Sequence, residues 1–303
     1  MSGPYLSIPP GESLSFAVAD LGVRLHFDPR SSRGLRLSKS FEPFLVSQDR
    51  NHLDIRVSSV DRVGEARGSL VYDSKLHWRA LRVGESTIFE FFHPPTALLY
   101  CQARVHENFS QAEVFFSETA WSRLAPQDSE PRDWEIPYPL DQLLLVPALA
   151  LRGAVLLHAC GAVISNRGLV FAGHSGDGKT TLAGLLSSEA APLLSDERTA
   201  IRKTNQGFVA YGTPWPGEGN VVSNASSPLA GMFVLRKAAH HAVGSASPAL
   251  APDLLARAIV PYYLPDIAAR ILGIFSELAA SVPFRELHFA LLPGLASLLR
   301  EAA

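Results

Sequence analysis

The stretch FAGHSGDGKTTLAGLL, Phe171 to Leu186, sets the pattern Gly-x-x-x-x-Gly-Lys-Thr between an apolar run and a helical one. Gly173 and Gly178 hold the spacing, Lys179 and Thr180 complete it, and Gly176 adds a further glycine. Glycine admits positive φ angles, so successive backbone N–H groups can converge on one point. A helix opening at Lys179 aims its positive end at that point. Lys179 adds a full charge, and the Thr180 hydroxyl is placed for a Mg²⁺ ion. A Gly-rich turn matches the pattern by accident in roughly one chain in a hundred of this size. Here the apolar LVFAG, residues 169–173, precedes the loop and KTTLAGLL follows it. Strand, loop and helix in that order predict a cradle for nucleotide phosphates.

At 303 residues the chain is long enough for one large domain or two ordinary ones. A hydrophobic fraction of 47% and a charged fraction of 18% are those of a globular protein. The formal net charge of -2 argues against broad nucleic-acid binding, which needs a basic face. Two cysteines, Cys101 and Cys160, make no disulfide framework and fit a reducing compartment. The first residues, MSGPYLSIPPGESLSF, lack the basic start and apolar core of a signal peptide. LLLVPALALRGAVLLHACGAV, residues 143–163, is interrupted by Pro147, Arg152, Gly153 and His158, so it reads as buried helix, Gly turn and buried strand. The expectation is a cytoplasmic chain with neither membrane nor nucleic acid as a partner.

Residues 12–118 alternate as strands, in SLSFAVADLGVRLHF, LDIRVSSV, GSLVYDSKLHWRALRV, STIFEFF and AEVFFSE, around a basic loop, DPRSSRGLRLSK. The polar, Pro-bearing WSRLAPQDSEPRDWEIP, residues 121–137, reads as a connection, giving a β-rich domain over 1–138 and a second domain over 139–303. The second opens with a helix in LDQLLLVPALAL. A hairpin of AVLLHACGAVI, the four-residue turn SNRG and LVFAG then runs into the glycine loop. A helix over 179–188, a strand in APLLSDE and a hairpin turning at Asn205–Gly207 follow. GMFVLRK is a strand, helices lie near 252–260 and 266–280, ELHFAL is a short strand, and a helix ends the chain. Hairpins beside one nucleotide-type loop make a mixed α+β pattern rather than regular βαβ alternation.

Phosphoryl transfer needs a carboxylate and a group that orients the attacking oxygen. Asp196 and Glu197 end the run APLLSDE, seventeen and eighteen residues after Lys179. A ten-residue helix and a short turn would return that strand beside the loop. Such residues can equally be an ordinary polar strand end, but the loop favours the functional reading. His158 lies fifteen residues before Gly173 and shares a strand face with Cys160; two ligands at that spacing are a weak metal signal. YGTPWPGEG, residues 211–219, forms a rigid loop around Trp215 and Glu218, a turn that covers core or a wall that meets ligand.

His158, GHSGDGKTT (residues 173–181) and LLSDERTAIR (residues 193–202) together resemble the catalytic domain of the HPr kinase/phosphorylase family, itself related in fold to the phosphoenolpyruvate carboxykinases. The resemblance covers residues 155–203. It implies a P-loop kinase domain in which Gly173, His174, Ser175, Gly176, Asp177, Gly178, Lys179, Thr180 and Thr181 bind ATP. It further implies catalytic Asp196, Lys179 and His158, with His158 close to Asp196, and Mg²⁺ held by Thr180, Asp196 and Glu197. Glu197 stands where the family has a second Asp. The family's C-terminal signature has no counterpart, and the first 140 residues do not resemble its N-terminal domain. The wording LLSDERTAIR…GTPWPGE is closer to HPr-kinase-like proteins outside sugar regulation, including kinases of ribosomally made precursor peptides.

The expectation is therefore an ATP- and Mg²⁺-dependent kinase acting on a serine of a protein or peptide. A kinase for a small hydroxylated metabolite would use the same phosphate machinery. A nucleotide-sensing module without transfer is the competitor from another class. The acceptor, the choice of ATP or GTP, reversal of the reaction and assembly into a homo-oligomer stay open.

Overall fold

The computed structural model describes residues 4–47, 52–124, 133–174 and 176–302. Strands and helices are mixed, in an α+β arrangement of large sheets. The chain divides into two compact units, one of residues 1–17 with 21–148 and one of residues 18–20 with 149–303. Among the described residues, no helix is long and apolar enough to cross a membrane.

The first unit carries β1 (Tyr5–Ile8), β2 (Ser13–Val18), β3 (Leu21–Phe27), β4 (Leu35–Ser38) and β5 (Leu53–Val60). There follow β6 (Ser69–Asp73), β7 (Trp78–Val83), β8 (Ser86–His93), β9 (Leu98–His106), β10 (Gln111–Ser117), α1 (Glu118–Leu124) and β11 (Trp134–Glu135). Eight strands form one sheet in the order β2-β3-β5-β10-β9-β8-β7-β6, and β1-β4-β11 form another. β9 escaped the sequence pattern because Tyr100, Gln102 and Arg104 break its apolar run; Cys101, Ala103 and Val105 nonetheless turn to one buried face. The expected basic loop is partly strand, as β4, and its arginines are engaged. Arg30 bonds Asp28, Arg36 bonds Asp133, and Arg33 lies 5.5 Å from the Trp134 ring centre. Residues 125–132 of the expected connection lie outside the described residues.

Helix α2 (Leu140–Ala150) leads to β12 (Ala154–Ile164), β13 (Arg167–Ala172), α3 (Lys179–Ser188), β14 (Leu193–Ser195), β15 (Arg198–Thr204) and β16 (Gly207–Tyr211). After these come β17 (Ser226–Lys237), β18 (Ala242–Val243), α4 (Ala251–Leu255), α5 (Pro265–Ser281), β19 (Phe284–Phe289) and α6 (Leu295–Ala302). The two longest strands are each shared. The first half of β12 pairs with β15, and its second half pairs with β13 and β14. β17 begins against β16 and continues in parallel beside β13 and β19. The glycine loop therefore leaves the C-terminal edge of β13, with β12 and β14 on one flank and β17 and β19 on the other.

Period-two burial explains the layer that anchors the loop. Cys160, Ala162 and Ile164, Leu169 and Phe171, Phe233 and Leu235, and Leu287 and Phe289 form one apolar surface. Leu182, Ala183 and Leu186 of α3 and Leu295, Ala296 and Leu299 of α6 pack on it. Phe171 stacks on Phe233 with ring centres 5.3 Å apart, which fixes β13 against β17.

Several expected boundaries move for identifiable reasons. The β12–β13 turn is the two residues Ser165 and Asn166, at φ 50 and 60, rather than four. Two left-handed residues match the twist of paired strands. The β15–β16 hairpin likewise turns on Asn205 and Gln206, because Gly207 already belongs to β16. The helix expected near 252–260 stops early. The carbonyl of Arg257 accepts the His158 N–H at 2.8 Å, and the Ile259 N–H reaches the Leu156 carbonyl at 2.8 Å, so β12 takes the backbone groups a helix would use. β14 spans only Leu193–Ser195, within the expected 191–197, and β19 begins at Phe284.

Candidate functional site

The loop's geometry follows from its glycines. Gly176 and Gly178 take φ +86 and +97, the left-handed region that a side chain resists. A Cβ at Gly178 would stand 2.8 Å from the Phe289 ring, and one at Gly173 would stand 2.9 Å from Asp177 Cβ. The Asp177 carboxylate accepts the His174 N–H, which ties the loop to itself. Gly178 occupies the N-cap of α3 without a side-chain cap, so the first N–H groups of the helix stay free of one. Lys179 is buried and folds back over the loop, donating to the carbonyls of Gly173 at 3.0 Å and His174 at 3.2 Å.

The two acids after β14 separate sharply. Asp196 is 2% exposed; its Oδ1 accepts the Gly217 N–H at 3.0 Å, and its Oδ2 is buried with no hydrogen-bond partner among the described residues. Cβ atoms at Gly219 and Gly217 would lie 2.7 and 3.1 Å from Oδ2, so the two glycines let this loop lie on the carboxylate. Glu197 instead faces outward, and its Oε1 stands 2.9 Å from His158 Nε2. A carboxylate only accepts, so His158 donates its Nε2–H. The acid that His158 pairs with is thus Glu197.

Glu197, His158, Gly176, Gly178, Lys179, Thr180, Thr181, Pro216, Gly217, Glu218 and Lys237 border one cleft of about 500 Å³. That volume lies in the range of small-molecule sites. Gly173, His174 and Asp177 shape the loop without bordering the cleft, and Ser175 lies outside the described residues. Asp196 is absent from the cleft wall; the rigid stretch expected around Trp215 and Glu218 covers it, with Trp215 buried and Glu218 at the wall.

Two basic groups went unread in the sequence. Arg257 Nη2 stands 2.9 Å from the His174 ring nitrogens, a contact created by the pairing of residues 257–259 with β12. No local pattern announces it. Lys237 ends β17, and the alternation in GMFVLRK could have signalled it.

Burial is the largest influence on the ionisable groups. It lowers the His158 pKa, aided by the charges of Lys179 and Arg198 and partly offset by Glu197. It lowers the Lys179 pKa as well, with Glu197 and Asp177 opposing and Arg257 assisting. The Cys160 thiol is pushed up to about 12, by burial and then by Asp196, which favours its protonated form. Among the described residues, no group of three or more His, Cys, Asp or Glu side chains could hold a metal. The Thr180 hydroxyl beside the loop is an oxygen donor, and it fits an ion that completes its shell with phosphate oxygens and water.

No known family model matches the chain, and no characterised protein sequence matches it.

Proposed function

We propose that the chain is an ATP- and Mg²⁺-dependent phosphotransferase with an HPr-kinase-like P-loop domain, moving the γ-phosphoryl group to a hydroxyl. The acceptor is a serine of a protein or precursor peptide, a choice that rests on the resemblance of residues 155–203. The observation that carries the proposal is the His158–Glu197 pair, 2.9 Å apart, on the wall of the cleft that Lys179 and Thr180 also border. An accidental Gly-rich turn would have no reason to face such a pair.

In this mechanism the backbone N–H groups around Gly176 and Gly178 and the N-terminus of α3 receive the phosphates. Lys179 exchanges the carbonyls of Gly173 and His174 for phosphate oxygens, and Thr180 would hold the Mg²⁺. MgATP supplies the transferable group and offsets its charge. Glu197 is the general base in place of Asp196. Its Oε1 is held by neutral His158, and its Oε2 takes the proton of the acceptor hydroxyl as the new P–O bond forms and the bond to the β-phosphate oxygen breaks. Asp196 anchors the loop at Gly217.

The test is transfer from labelled ATP to peptide and metabolite pools, comparing wild type with Glu197→Gln. Loss of transfer with nucleotide binding retained supports the assignment; equal transfer by both rejects it. Transfer to a metabolite alone moves the acceptor to that class, and binding without any transfer favours a regulatory module.

A further inference from the structure

We propose that Lys237 is a second cationic arm for the nucleotide's polyphosphate, acting from the flank opposite the His158–Glu197 pair. This rests on the phosphotransferase proposal and deepens it. Along β17, Phe233, Leu235 and Lys237 share one face by the period of two. The first two lie in the apolar layer beneath α3. β17 runs parallel to β13, with Val234 opposite Ala172, so Lys237 lies three residues beyond the point where β13 gives way to the glycine loop. The stripe thus emerges from under α3 at the helix's N-terminal end. Opposite Lys237 on β19 is Phe289, whose ring supports Gly178. The two sides of the cleft are therefore distinct in chemistry.

The adjacent residue shows what Lys237 is not doing. Arg236 turns to the other face and is fully engaged, with Nε 2.9 Å from Glu286 and Nη2 3.1 Å from Asp253. Lys237 is exposed and borders the cleft, and its side chain makes no hydrogen bond or ion pair among the described residues. A cation left without a partner beside a helix N-terminus and a glycine cradle suits a polyanion rather than an intramolecular contact. The nucleotide's phosphates then lie between Lys179 and Lys237. The acceptor approaches over Glu197 and Glu218.

The experiment is equilibrium binding of fluorescent ATP, ADP and adenosine analogues to full-length wild type, Lys237→Ala and Lys237→Arg, after matched melting curves. Lys237→Ala should weaken ATP and ADP binding about ten-fold, as expected for loss of one charge-assisted contact, with adenosine unaffected and Lys237→Arg near wild type. Unchanged ATP binding by Lys237→Ala overturns Lys237 alone and leaves the glycine loop's role intact. Equal weakening for adenosine overturns the phosphate assignment, and wild type that binds no nucleotide overturns both.

Discussion

His158 Nε2 and Glu197 Oε1 lie 2.9 Å apart, joining strand β12 to the turn after β14 at the wall of the glycine-loop cleft. Asp196, one residue earlier, is buried beneath Gly217 and Gly219 and accepts the Gly217 N–H. The two acids therefore have different jobs. Glu197→Gln should reduce phosphoryl transfer by about 100-fold or more, the scale of a lost general base, with nucleotide affinity kept. Asp196→Asn, whose side-chain oxygen can still accept from Gly217, should retain most of the rate. Single-turnover transfer by both variants checks this, and the reverse ranking returns the base to Asp196.

Acid should weaken the His158 contribution. Burial holds its pKa below the ordinary 6.5, so folding favours the neutral ring. The associated stability is complete above pH 6.5 and is lost as pH falls through the lowered folded value. Denaturant midpoints measured from pH 7.5 downward should fall more steeply for wild type than for His158→Asn. Parallel curves reject the assignment.

Lys179 should set an alkaline limit on nucleotide binding. Its pKa lies below the ordinary 10.5, chiefly through burial. The charge that meets phosphate is therefore lost at lower pH than for a free lysine. Affinity for ATP should decline as pH rises towards that lowered value, and Lys179→Met should bind weakly throughout. Thermal shift reads this directly: ATP at 100 times its Kd stabilises wild type by about 2.7 kcal/mol and should leave Lys179→Met unmoved.

Gly178→Ala should damage the loop without touching its charges. The residue sits at φ +97, and a new Cβ would meet the Phe289 ring at 2.8 Å. A cost of about 1–3 kcal/mol is expected from strain and contact together. Gly184→Ala, in the same helix with nothing within 4 Å of its Cβ, is the control and should be neutral or stabilising. Chemical denaturation distinguishes them.

Trp134→Ala should unfold much of the first unit's support. The ring is fully buried, stacks on Phe116 at 5.0 Å and donates its Nε1–H to Ser31. A loss of about 3–5 kcal/mol is the usual scale for removing a buried tryptophan. Urea melts followed by far-ultraviolet dichroism measure it.

Local chemistry decided what could be read along the chain. The glycine spacing, the helix from Lys179 to Ser188, the alternating strand β5 and the apolar strands β12 and β13 were legible because each depends on neighbours a few residues away. The spacing after the loop also pointed to an acid near it, and the resemblance added His158. Tertiary structure alone decided which acid faces His158: Asp196 and Glu197 are adjacent in sequence, but Asp196 is buried under Gly219 and bonded to Gly217 while Glu197 stands 2.9 Å from His158. It likewise brought Arg257 to His174 by making residues 257–259 pair with β12 in place of a longer helix. Long-range backbone pairing overrides local helix preference wherever it satisfies the same N–H and C=O groups, and no short window of sequence records that competition.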